Sequence, residues 1–559
     1  MRSILLWLTF ILTTLPPVTA QTDVLTFRNN AARTGANLSE TILTTTNVHS
    51  STFGKLFQVT LDGVVDAEPL YVANVSVPSQ GVHNLLIVAT ENDSLYALDA
   101  DSGAQIWKTS LLPSGQTPSD DRGCSQVTPI IGITSTPVIY LPPASGPVHE
   151  TQLRNGSRVP PTVATTGSGL IYAVAMSKDS SGNYYQRLHK VSLTTGKSLA
   201  AVEVTGTYRG TGEDSSGGNV LFDPAQYKER SGLLMLNGTV YLVWGSHCDH
   251  QPYTGWIMGY NASTLAQTTV LDVTPNGQEG AIWGAGAGLA ADASGYIYFL
   301  DANGTFDTTL NSKGFPSSAD FGNAFIKLSA GGGQLSVVDY FTMYNTVSES
   351  SVDEDLGSGG ALILPDMTDA SGNTRSLAIG AGKDSNIYLV DRTNMGKFNP
   401  ANNNAIYQEL EGALPGGIWS SPAYYKGQVY YGSVGGPLRA FQFSKALLSA
   451  TPVSSSPTTY PYPGATPSIS ANGTTNGIVW AVENSSTAVM HAYNASNLGQ
   501  ELYNTSQAAG GRDSFGAGNK FMVPTIANGK VYVGTPNGVA AFGLLSTSGP
   551  AATKPAGSN

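Results

Sequence analysis

The sequence predicts an all-β chain: a single eight-bladed β-propeller closed by pairing an N-terminal strand with a C-terminal one. Three observations carry that expectation. A short motif, Pro or Gly followed by apolar residues, recurs eight times. The segments after each copy are β-branched and aromatic, broken by Gly, Asn and Asp turns, with almost no long helical periodicity. A strand near the start, Lys55-Leu56-Phe57-Gln58-Val59-Thr60-Leu61, has no inner partner in sequence, while the last repeat, Phe521 to Leu545, stops after three strands.

Taken in chain order, Met1-Arg2-Ser3 precedes an apolar run from Ile4 to Leu15, and Pro16-Pro17-Val18-Thr19-Ala20 ends on small residues. Residues 1–20 are therefore expected to be an export signal cleaved before Gln21. The run is too short to span a bilayer. The propeller is assigned to 21–545.

Its eight inner strands start at Ala67-Glu68-Pro69-Leu70-Tyr71, Ser135-Thr136-Pro137-Val138-Ile139, Arg230-Ser231-Gly232-Leu233-Leu234 and Ala287-Gly288-Leu289-Ala290. They continue at Gly359-Gly360-Ala361-Leu362, Ser421-Pro422-Ala423-Tyr424, Thr466-Pro467-Ser468-Ile469 and Val523-Pro524-Thr525-Ile526. Second and third strands follow, as in Leu85 to Thr90 with Ser94 to Asp99, Tyr296 to Leu300, Ile387 to Asp391 and Val531 to Gly534. Pairing 55–61 with Val539 to Leu544 would complete the eighth sheet and remove an exposed edge. The tail 546–559, rich in Ser, Gly, Pro and Ala, is expected to be disordered.

Composition excludes some partners. The 559 residues carry 28 Lys and Arg against 39 Asp and Glu, a formal charge of −11, with no basic cluster to neutralise phosphates. Nucleic acid and membrane are not expected as partners, and a secreted, extracellular monomer is. Sequons at Asn37, Asn74, Asn92, Asn155, Asn237, Asn261, Asn303, Asn472, Asn484, Asn494 and Asn504 point to a glycoprotein, although a chain so rich in Asn, Ser and Thr produces many by chance.

The two cysteines, Cys124 and Cys248, are expected to pair in an oxidising compartment. Cys124 leads into the second blade, and Cys248 sits in the middle turn of the third. Both positions emerge on one rim of a propeller. A metal site with His247 and His250 is the rival reading.

Long polar connections on that rim, Leu112 to Thr134, Thr207 to Glu229, Met343 to Ser358, Gln408 to Ser420 and Gln507 to Lys520, place a ligand site at the upper channel mouth. The candidate cofactor-binding residues are Glu68, Trp283, Lys383, Trp419, Arg512 and Asp513. Trp283 and Trp419 each lead into an inner strand, where flat faces suit a cofactor or sugar ring. Either could instead seal adjacent blades, and each charge could be a solvated rim residue. The acidic run Glu349, Asp353, Glu354 and Asp355 reads as a calcium site or a solvated loop.

The most specific stretch, Ala97-Leu98-Asp99-Ala100-Asp101-Ser102-Gly103-Ala104-Gln105-Ile106-Trp107, resembles the docking pattern of pyrroloquinoline-quinone (PQQ) propeller repeats, with degenerate copies at 189–197 and 491–503. Essentially the whole mature chain resembles the PQQ-binding-like, quinoprotein alcohol dehydrogenase-like superfamily. It is most similar to secreted members with stretches such as Ala31 to Asn37, Gly382-Lys383-Asp384 and Ala509 to Asp513.

The resemblance implies that Trp107 packs between blades. It also implies PQQ with calcium, an aspartate base and oxidation of alcohols or sugars. The family's adjacent-cysteine pair is missing, as is a Cys-x-x-Cys-His haem site. The expectation therefore leans to a quinoprotein-like oxidoreductase. A non-redox glycan- or protein-binding propeller and a carbohydrate-cleaving enzyme remain as alternatives.

Overall fold

A chain whose apolar runs are four to six residues long, rather than alternating, needs cover on both faces of each strand. The structure, a computed structural model, describes residues 23–142, 169–331 and 333–546. The expected export signal, nearly all of the tail and the sequon at Asn155 lie outside the described residues. Within them the fold is all-β, with one short helix, Thr346–Ser351.

Eight antiparallel sheets share a four-strand plan among the described residues. Sheet 1 is Leu70–Val77, Gly81–Thr90, Ser94–Asp99 and Gln105–Ser110. The first strands of sheets 2 to 7 are Val138–Tyr140, Leu234–Leu236, Ala290–Ala291, Leu362–Ile363, Ala423–Tyr425 and Ser468–Asn472. Sheet 8 is Thr525–Ala527, Lys530–Thr535 and Gly538–Leu544, and its fourth strand is Phe53–Thr60, which pairs antiparallel with Gly538–Leu544. In sheet 1, Leu85 to Thr90 is buried throughout, whereas the outer strand Phe53–Thr60 alternates from Lys55 onward, because only inner strands have neighbours on both faces.

Neighbouring sheets are tied by a repeated bond from a side chain of one sheet to the turn after the third strand of the next. Tyr532 donates to the Ala100 carbonyl at 2.9 Å, and Trp107 to Leu193 at 3.0 Å. Tyr172 donates to Ala262 at 2.6 Å, and Tyr430 to Ala495 at 2.8 Å. Trp107 is thus an inter-sheet residue, as its motif implied.

The segment from Val24 to Asn37 bonds to the first strand, or the residue just before it, of each of these eight sheets in chain order. Val24 pairs with Tyr71, the Leu25 carbonyl accepts from Ile139, and Thr26 donates to the Leu233 carbonyl. The Ala31, Ala32, Thr34 and Gly35 carbonyls accept from Ala291, Ile363, Tyr424 and Ile469, and the Asn37 amide donates to Ile526.

Two fully buried arginines brace this floor. Arg33 donates to the carbonyls of Leu289, Phe27 and Leu233 and to the Thr26 hydroxyl. Arg28 donates to Pro467, Pro422 and Ser468. Gly35 has φ +65° and lies so close to the Arg28 guanidinium that a Cβ there would fall 2.1 Å from it, so the turn requires glycine.

Two of the sequon asparagines are buried. Asn37 is 3% exposed with its amide nitrogen bonded to the Ile526 carbonyl, and Asn303 is 7% exposed with its amide nitrogen on Asp353. Neither can present a glycan in the folded chain. Asn74, Asn237 and Asn472 are exposed, while Asn92, Asn261, Asn484, Asn494 and Asn504 are half-buried.

Candidate functional site

At the end opposite the floor, loops leading into the first strands converge with turns between second and third strands. They enclose a cavity of about 180 Å³ lined by Arg230, Trp283, Asp355, Lys383, Trp419 and Phe521, among others. That is below the range of about 300 to 1,000 Å³ typical of drug-sized ligand sites, so it suits a compact, flat ligand rather than a polymer.

Lys383 stands in the middle turn of sheet 5. Its ammonium pairs with Asp355 at 2.7 Å and also with Asp353. Burial opposes the lysine's charge, but the two carboxylates outweigh it and hold its pKa up. Asp355 is 2% exposed; burial raises its pKa to about 6 against the pull of Lys383. Asp301, wholly buried nearby, has no side-chain hydrogen-bond partner, and burial together with the charge of Asp272 pushes it well above the carboxylate range.

The two tryptophans are set by glycines and cations. The Trp283 indole packs on Gly245, where a Cβ would lie 2.8 Å from the ring, and the Lys228 ammonium stands 5.0 Å from its centre. Trp419 meets Tyr462 edge to face at 5.5 Å, with Lys383 5.8 Å from its ring. Phe521 lies under the Arg230 guanidinium at 4.3 Å, and Lys520 stands 5.0 Å from Tyr462. Every cation at the mouth thus faces an aromatic ring.

The disulfide Cys124–Cys248 is present, with Cα atoms 5.6 Å apart, so no zinc reading through these thiols survives. It pins the mouth wall, since Gln126 and Asp249, two and one residues away, both line the cavity. The chain separation of 124 residues makes this a long-loop constraint, worth about 4 to 5 kcal/mol in the chain-entropy picture.

Three of the six predicted residues, Trp283, Lys383 and Trp419, meet at the cavity. Glu68 does not line it: it is 4% exposed and accepts hydrogen bonds from the Arg28 backbone and Thr525. Arg512 and Asp513 lie elsewhere and bind each other. Arg512 also donates to the Ser50 and Phe53 carbonyls, and Asp513 accepts from the Lys55 backbone and Tyr503, so the pair clamps the fourth strand of sheet 8. Sequence reasoning missed Lys228, Arg230 and Phe521. The signal was there: Lys228-Glu229-Arg230 puts three charges directly before an apolar inner strand.

The calcium expectation does not fit. Among the described residues no three His, Cys, Asp or Glu side chains are placed to hold a metal ion together, and Lys383 already engages Asp353 and Asp355. The chemistry of a flat, carboxylated quinone does fit, since Trp283, Trp419 and Phe521 offer faces and Arg230 offers charge.

No protein family and no curated protein matches the sequence. Solved structures do match in fold. The quinohemoprotein alcohol dehydrogenase of Comamonas testosteroni is 13% identical with a TM-score of 0.59, over 97% of this chain and 83% of that one. The quinohemoprotein alcohol dehydrogenase ADHIIG of Pseudomonas putida HK5 gives 13% and 0.58, over 96% and 82%. A europium-containing methanol dehydrogenase gives 10% and 0.55, over 94% and 98%.

Proposed function

We infer the function from the site, because the chain's likeness to the PQQ-like β-propellers is one of fold. We propose that it is an oxidoreductase that removes hydride from the hydroxyl-bearing carbon of an alcohol or sugar at the mouth of a ring of eight blades. The ring reading is supported by the Phe53–Thr60 strand completing the last sheet and by the floor segment touching the eight first strands in succession. The observation that carries the activity is the buried Asp355–Lys383 pair on the cavity wall between Trp283 and Trp419.

PQQ, when bound, supplies a two-electron acceptor. Arg230 would face one of its carboxylates, and Trp283 or Trp419 would hold its ring. Asp355 would take the hydroxyl proton on a carboxylate oxygen, and Lys383 beside it opposes the burial that raises that carboxyl to about 6. The aromatic faces exclude water from the reacting ring. The identity of the alcohol or sugar belongs to this proposal, as do export to the extracellular space and a monomeric state. The disulfide fits an oxidising compartment.

The test is binding of PQQ to the purified protein, with and without calcium, together with dye reduction across alcohols and sugars. Reduction should be lost in Asp355→Asn. No PQQ binding under any condition, or undiminished turnover in that variant, defeats the reading. A non-redox glycan-binding role draws on the same indole faces, and binding of sugars without dye reduction would favour it.

A further inference from the structure

Arg230 is 4% exposed and lines the cavity, yet its guanidinium donates no hydrogen bond and makes no ion pair within 4 Å among the described residues; its Nε is an orphaned buried donor. Its one close partner is the Phe521 ring. Lys228, 1% exposed, has only Gln126 at 3.1 Å and the Trp283 face. Lys520 has only the Tyr462 face.

The three cations feel one another. Burial and then Arg230 lower Lys228 to about 7, and burial and then Arg230 lower Lys520. The carboxyls around them do not supply the missing partner. Glu91 gives one oxygen to the Gly132 backbone and Thr134, and burial and then the charge of Asp66 raise its pKa well above the usual carboxylate range. Burial likewise raises Glu229. Asp66 accepts from Asn519. A buried guanidinium without an acceptor is costly in the free protein, and an anion delivered to the cavity would relieve that cost.

We propose that Arg230 on the cavity wall, backed by Lys228 and Lys520 on the lining rings of Trp283 and Tyr462, forms a receptor for the carboxylate of a ring-shaped ligand, whose ring lies against the aromatic faces of Trp283, Phe521 and Tyr462. The carboxylate can come from an acidic sugar substrate or from a carboxylated quinone. This deepens the reading of the same mouth given above and rests on it for the choice of PQQ and sugar probes.

Galacturonate, galactose and PQQ are titrated separately into the whole protein by calorimetry at low and high salt. Galacturonate should bind more tightly than galactose, and its affinity should fall with salt. Arg230→Gln should weaken it roughly tenfold or more while leaving galactose unchanged. Lys520→Gln, at a half-buried position, should weaken it less and serves as the variant if Arg230→Gln does not fold. If PQQ alone loses affinity in these variants, the receptor stands and its anion belongs to the cofactor. Equal binding of galacturonate and galactose with no effect of either variant on PQQ overturns the proposal. Dye reduction is read on the same samples: anion binding without reduction defeats the oxidoreductase reading alone, and reduction without anion selectivity defeats this one alone.

Discussion

Two buried arginines, Arg33 on the floor and Arg230 at the mouth, are alike in exposure, at 0% and 4%, and opposite in company. Arg33 spends its donors on three backbone carbonyls and a hydroxyl from the floor segment and sheets 3 and 4, whereas Arg230 spends none. Desolvation is similar for both, so the difference is in what each contributes. The floor arginine holds the structure together, and the mouth arginine holds a place for something else.

That contrast can be broken at the floor first. Arg33→Met should destabilise the protein by about 3 to 5 kcal/mol, because several buried carbonyls lose their donor at once; urea unfolding measures it, and a loss below about 1 kcal/mol would mean the floor is not braced as described.

A pH scan sharpens it next. Glu68, beside Arg28, is raised by burial to about 7, despite the Arg28 backbone bond and charge. A carboxyl raised in the folded state contributes most below its unfolded value of 4.5, and that contribution is lost as pH climbs through about 7. Melting temperature should therefore fall between pH 4.5 and 7, by no more than the order of 3 kcal/mol from this group, and Glu68→Gln should flatten the slope. An unchanged slope in that variant would remove Glu68 as its source.

The smallest effect has the opposite sign. Arg230→Met should stabilise the free protein by about 1 kcal/mol, since it replaces an unpartnered buried charge with an apolar side chain of similar length. Destabilisation of the size seen at Arg33 would erase the distinction between the two ends.

Much of the scaffold was readable from sequence because it repeats. The eight Pro- or Gly-led motifs mark the first strands of eight sheets, and Lys55 to Thr60 does lie against Gly538 to Phe542. The disulfide was readable because both half-cystines fall in connections on one rim. The site was less legible. Trp283 and Trp419 were found because each directly precedes a first strand, but Arg512-Asp513 is as conspicuous in sequence as Lys383-Asp384 and turns out to be a clamp on a strand.

Arg28 and Arg33 drew no notice as structural residues. Their positive φ values and their bonds to sheets far along the chain have no local signature beyond Gly35. Asn37 shows the converse: a perfect sequon whose amide is consumed by a carbonyl 489 residues away. Patterns confined to neighbours in the chain are visible in the letters; a side chain's partners hundreds of residues away are not.

The threaded floor has a bearing on traffic. Phe27, Arg28 and Arg33 lie buried across the base, so under the proposed activity a product formed at the mouth would leave by the side from which its precursor came. Arrival and departure then contend for one passage, and a spent molecule that lingers there excludes the next.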